Sequence, residues 1–146
     1  MSKTIQDTLA TLTADGAVFY QKLRHYHWHV KGEGFFILHD KFEELYTRWA
    51  VIVDELAERI VNRGGTAPRT LKAVLERTTL KEDDTTPAAG EMVGRLAADL
   101  EHFVTGCNRA AKQSAEEGDD ITANLLEDIR DEQDKNLWML KAFLKG

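Results

Sequence analysis

Residues 27–59 read HWHVKGEGFFILHDKFEELYTRWAVIVDELAER, and the rest of the chain is organised around them. Within this stretch Phe35, Leu38, Phe42, Leu45, Trp49, Ile52 and Leu56 recur at spacings of three and four. That is the period of a helix buried along one stripe. Upstream, Ile5, Leu9, Leu12, Gly16, Phe19, Leu23, Tyr26 and Val30 follow the same rule. Thr4 is a candidate N-cap for this first helix, and Asp7 favours its positive end. Between the two stripes, Gly32 and Gly34 stop the first helix and turn the chain. Two long helices joined by so short a turn form an antiparallel hairpin.

Downstream, Gly64-Gly65 ends the second helix. Residues 66–86 are a connection of about 21 residues, long enough to cross a bundle, so the third long helix can run parallel to the second. Within the connection, Pro68 to Arg77 can form a short helix on Leu71, Val74 and Leu75. Thr86-Pro87 is a start signal, N-cap followed by proline. Val93, Leu96, Leu100, Phe103, Cys107 and Ala110 then continue the stripe. Gly118 breaks it, and Asp119 or Asp120 can cap a fourth long helix. That helix is expected to bury Leu125, Ile129, Met139 and Phe143, with Leu126, Leu137, Leu140 and Leu144 widening the face. The expectation is an all-α, single-domain chain over residues 1–146. It is a four-helix bundle with a long crossover between the second and third helices that carries a short extra helix.

Composition narrows the function. The 146 residues include one cysteine, which excludes a disulfide framework or a cysteine-based zinc cluster and suits a reducing cytoplasm. No apolar run approaches the ~20 residues of a membrane span, and the N-terminus lacks a signal-peptide core. Net charge is −6, from 19 basic and 25 acidic side chains, which argues against nonspecific binding of duplex DNA by the body of the chain. The acid is concentrated in 116–134, where Arg130 is the only basic residue. Such a run reads either as a solvated helix face or as a cation-attracting surface.

The chemistry-bearing side chains lie on the first hairpin. His27 and His39 stand six residues either side of Glu33, so both sit about 9 Å up their arms and the imidazoles can approach. Glu43 follows His39 by four residues, on the same helical face. Two imidazoles and a carboxylate suit iron, zinc or manganese. Asp54 and Glu58 are a second i, i+4 pair on that broad face, roughly 60° and 100° round from His39. They lie roughly 16 Å beyond Glu43 along the axis, and one metal with bonds of about 2 Å cannot span that gap. Either the chain holds two half-sites or a second copy completes each. The midpoint of 39 and 58 coincides with that of 43 and 54. A two-fold axis near Arg48–Trp49 would therefore set His39 and Glu43 against Glu58 and Asp54 of a twin. Taken singly, each acid reads as a surface charge and each histidine as a hydrogen-bonded residue. Trp49 reads as core. Trp28, beside a candidate ligand, reads as buried or as an oxidisable neighbour. His25 and His29 are also an i, i+4 pair, but they point roughly 200° away from His27 and read as structural.

The runs His27-Trp28-His29-Val30-Lys31-Gly32, Phe35-Phe36-Ile37-Leu38-His39, Phe42-Glu43-Glu44-Leu45-Tyr46, Asp54-Glu55-Leu56-Ala57-Glu58-Arg59 and Gly64-Gly65 resemble the Dps family, the miniferritins. The stretch 134–144 resembles it as well, so the likeness spans the chain. The resemblance implies a ferritin-like fold and a dodecameric homo-oligomer with ferroxidase sites between two-fold-related subunits. It implies ferrous iron and hydrogen peroxide (or dioxygen) as substrates, with ferric mineral stored in the cavity. The family's ligands map onto His27, His39, Asp54 and Glu58. Where members commonly carry aspartate, this chain has Glu43, which keeps the charge on a longer arm. The family's tryptophan beside the first histidine maps onto Trp28. Acidic residues near the start of the fourth long helix line iron-entry pores in the family, and Asp119, Asp120 and Asp128 fall there. Larger ferritins use Glu-x-x-His motifs within one subunit, and none occurs here. Family members that condense DNA often use lysine-rich tails. The first twelve residues hold only Lys3, and Lys141 and Lys145 are too few for a basic tail, so weak or absent DNA binding is expected. Two alternatives stay open, non-enzymatic sequestration of a divalent metal and a nucleoid-compacting role.

Overall fold

The computed structural model covers residues 1–146 and contains five helices and no strand: α1 Lys3–His29, α2 Phe35–Asn62, α3 Leu71–Arg77, α4 Ala89–Glu116 and α5 Asp120–Lys145. The apolar stripes of α1 and α4 are buried along their whole length, and that of α2 from Leu38 onward. They meet in one core of aliphatic and aromatic side chains centred on Trp49, whose ring packs edge-on against Phe19 at 4.9 Å and Phe103 at 4.7 Å.

Contacts fix the directions of the helices. Tyr26 meets the segment just before α4, through Asp83. Lys22 meets Asp99, and Leu12 touches Gly106. Residue numbers rise along α4 as they fall along α1, so the two are antiparallel. Since α2 is antiparallel to α1, α2 and α4 are parallel, as the long crossover requires. Arg59 near the end of α2 reaches Asp119 at the start of α5. Leu144 at the far end of α5 approaches Gly94 at the start of α4, so α5 closes the bundle antiparallel to α4.

The first hairpin packs tightly for a local reason. A Cβ built on Gly16 would meet Val53 Cγ2 at 3.0 Å and the Trp49 ring at 3.2 Å, so glycine allows α1 to sit close over α2. Gly118, at φ +79°, makes the turn from α4 into α5 in the left-handed region that glycine enters without steric cost.

Several helix boundaries differ from the sequence reading. Ser2, not Thr4, caps α1: its hydroxyl accepts from the Ile5 N–H at 3.2 Å, and Thr4 lies inside the first turn. The short helix begins at Leu71 behind the capping Thr70, so Pro68 stays in the connection. The Thr86-Pro87 signal also starts α4 too early. Asp83 accepts from the Thr85 N–H and hydroxyl, which holds residues 83–85 in a side-chain-closed turn, and the helix begins only at Ala89. In α5 the buried stripe is Thr122, Ala123, Leu126, Ile129, Gln133, Leu137 and Leu140, whereas Phe143 is exposed. Gln133 interrupts the apolar run at the centre of that stripe and displaces the pattern read from sequence.

The connection is pinned by polar groups. Buried Asp15 on α1 accepts from the Thr78 and Thr79 hydroxyls and from the Thr79 N–H, at 2.6–2.8 Å. Lys22 and Asp99 form an ion pair of 2.6 Å with both side chains largely buried. Burial raises the Asp99 carboxyl, and Lys22 opposes that without cancelling it.

Candidate metal centre on the first hairpin

The end of α1 leaves backbone carbonyls without helical partners. One of them, His27 O, accepts from His39 Nδ1–H at 2.8 Å, and His39 O accepts in turn from His27 Nδ1–H at 2.7 Å. Because a carbonyl can only accept, each Nδ1 carries the proton, which leaves Nε2 as the nitrogen that can bind an ion. This is the arrangement by which proteins orient histidine ligands. The two rings stack at 3.8 Å between centroids and 14° between planes. Phe35 stacks on the outer face of His39 at 5.0 Å, and Tyr46 sets its edge against His27 at 5.3 Å. His27 Nε2 lies 3.6 Å from Glu43 Oε1. His27, His39 and Glu43 are therefore gathered, with the imidazoles locked and the Glu43 carboxylate exposed.

Asp54 and Glu58 are exposed on α2 and do not join that group. No three histidine, cysteine, aspartate or glutamate side chains of one chain come together as a set able to hold a metal. The five candidates thus divide into two half-sets, His27 of α1 with His39 and Glu43 of α2, and Asp54 with Glu58 farther along α2. Between them stands Arg48, half-buried, its guanidinium bonded to Glu132 and Glu55. Those bonds, led by the one from Glu132, raise its pKa and keep a fixed charge there.

Trp28 is 52% exposed, with the Arg24 guanidinium 4.9 Å over its ring. Core burial therefore does not account for Trp28, whereas Trp49 is fully buried. Asp120 and Asp128 are exposed on α5. Asp119 is occupied otherwise: it caps α5 by accepting from the Thr122 N–H and hydroxyl, and it pairs with Arg59 at 3.0 Å. Burial opposes its charge, but those bonds outweigh it and hold the carboxyl below the usual carboxylate range. The sequence reading missed Tyr46 as a wall of the histidine pair. The signal was available, since 39, 43 and 46 share one helical face.

Residues 6–146 match the family pattern of the ferritin-like domain. The chain is 41% identical over 150 residues to a DNA protection during starvation protein of Brevibacillus brevis, covering 99% of this chain and 100% of that one. Its fold superposes on the crystal structure of Dps from Staphylococcus aureus with a TM-score of 0.95 at 36% identity, covering 98% of this chain and 96% of the other. A Dps structure from Vibrio cholerae, described as a member of a broad superfamily of ferritin-like diiron-carboxylate proteins, gives a TM-score of 0.94 at 32% identity, with coverage of 97% and 89%.

Proposed function

The chain belongs to the ferritin-like family, among its Dps proteins, and on that premise we propose that it is a ferroxidase that oxidises ferrous iron at sites shared by two copies and stores the ferric product. The observation that carries this reading is the reciprocally tethered His27–His39 pair beside Glu43. On the same helix face lie exposed Asp54 and Glu58, which complete the set only when a twin is laid antiparallel across Arg48. Each site then offers two imidazoles and three carboxylates, a mixed nitrogen–oxygen set fit for ferrous ion and more favourable still to ferric ion, whose higher charge gains more from carboxylate.

Iron is here substrate and cargo. His27 and His39 hold their Nε2 lone pairs in place because each Nδ1–H is committed to a carbonyl, so no ring must turn to receive the ion. Glu43, Asp54 and Glu58 compensate its charge. Two ferrous ions give one electron each to hydrogen peroxide, whose O–O bond breaks to two hydroxides, and no hydroxyl radical is released. Trp28 stands beside the site as an oxidisable neighbour. Asp120 and Asp128, whose carboxylates are free, are better placed than Asp119 to line an iron-entry pore. We assign the protein to the cytoplasm and to a closed homo-oligomer, a dodecamer by family. With its net charge of −6, the body of the chain binds duplex DNA weakly or not at all at physiological salt.

The test is anaerobic addition of ferrous ion followed by peroxide. Rapid ferric absorbance, at two irons per peroxide, is expected. Iron that stays ferrous, or that oxidises no faster than in buffer, would mark the protein as a metal buffer and not an enzyme.

A further inference from the structure

His25 and His29 lie on α1 outside the hairpin site, and nothing in the iron chemistry uses them. Their geometry is more specific than that of two surface histidines one turn apart. His25 Nε2 is 2.7 Å from the Thr85 carbonyl, so Nε2 carries the proton and the Nδ1 lone pair is free of it. That Nδ1 is 2.8 Å from His29 Nδ1, which is itself 2.8 Å from the His25 carbonyl. The two rings meet at 67°, with centroids 4.8 Å apart. They open onto a polar recess of about 590 Å³ that Glu82 and Asp84, both exposed, also line.

We propose that His25 and His29 form a second metal site on each chain, for a divalent cation of the copper(II) type. Three features converge. The His25 ring already makes the outer bond to a backbone carbonyl that ligand histidines make, which aims its Nδ1 lone pair. The two Nδ1 atoms stand 2.8 Å apart, joined by a hydrogen bond, so both can turn onto one ion once the His29 proton leaves that bond. Paired imidazoles suit several divalent transition metals, and of these copper(II) is held most tightly. Finally, Glu82 and Asp84 supply negative charge on the open side, and water completes the coordination. When the ion binds, the His29 proton moves from Nδ1 to the solvent-facing Nε2. This site is independent of the iron reading, because none of its residues belongs to the hairpin set.

The experiment titrates metal-free protein with copper(II) and reads bound copper by equilibrium dialysis and by electron paramagnetic resonance. His39→Ala/Asp54→Ala protein serves as the background, in which the hairpin set is reduced to His27, Glu43 and Glu58. One copper per chain with an axial spectrum split by two nitrogens is expected there. His29→Gln added to that background should lose the split spectrum and weaken binding at least tenfold. His29→Gln in the otherwise unaltered chain should lose one copper per chain. His25→Gln should do the same. If that variant fails to fold after losing its Thr85 contact, His29→Gln decides the matter, because His29 makes no bond to the crossover. A background protein that binds no copper, or a His29→Gln variant that binds as its parent does, overturns the proposal.

Discussion

If each iron site is built from His27, His39 and Glu43 of one chain and Asp54 and Glu58 of another, two dead variants should revive each other. His39→Ala chains carry intact acids, and Asp54→Ala chains carry intact histidines. In a mixed two-fold dimer, one site takes its histidines from the Asp54→Ala chain and its acids from the His39→Ala chain, and is wholly wild type. The other site is doubly broken. Random pairing at equal amounts makes half the dimers mixed, so roughly a quarter of all sites are restored. At other ratios the restored fraction is the product of the two chain fractions, and so peaks at equality. Co-expression at several ratios, with composition read by mass spectrometry, gives the x axis. The initial rate of peroxide-dependent iron oxidation, relative to the unaltered protein, gives the y axis. The separation along α2 requires the peak, since Asp54 lies roughly 16 Å from Glu43 on its own chain. Activity that stays at the level of the parent variants at every ratio would refute the shared site, even if the protein oxidises iron.

Three further outcomes follow from groups away from that face. Lys22→Met leaves Asp99 buried without its cation and should cost roughly 3 kcal/mol, read as a lowered unfolding midpoint at fixed protein concentration; Lys22→Met/Asp99→Leu should recover much of it. Asp119→Asn keeps a cap oxygen but removes the charge facing Arg59, for a loss of about 1 kcal/mol at pH 7. Because the native carboxyl is depressed, its contribution is present above the unfolded value of about 3.9 and fades as pH falls through the native one, so the two proteins should converge in stability only in strong acid. Gly16→Ala gains up to about 1 kcal/mol of helix propensity but forces a methyl against the immobile Trp49 ring and Val53, at about 1–3 kcal/mol. The expected net is destabilisation by thermal scan, and a variant more stable than its parent would show that the hairpin can open without strain.

How far the sequence discloses this protein depends on which residues do the work. The stripes of α1, α2 and α4 are legible because no polar side chain interrupts them. That of α5 is shifted because Gln133 sits at its centre. The start of α4 is misread because the N-cap is Ala88, which is extended and carries no capping side chain, so nothing in its residue type announces it. The nearness of His27 to His39 is legible as equal distance from a turn. Their mutual bonds are not, since they run to backbone carbonyls, which no residue type announces. Asp119 is legible as a helix cap after Gly118, but its pairing with Arg59, 60 residues away in sequence, is not.

The exchange of bonds between His27 and His39 has a genetic consequence. Each imidazole fastens the main chain beneath the other, so losing one unmoors its neighbour as well. The two positions should behave as a single locus. In a library of random variants the double loss should be scarcely worse than either single loss, and a lineage that abandons one of these histidines has little left to preserve in the second.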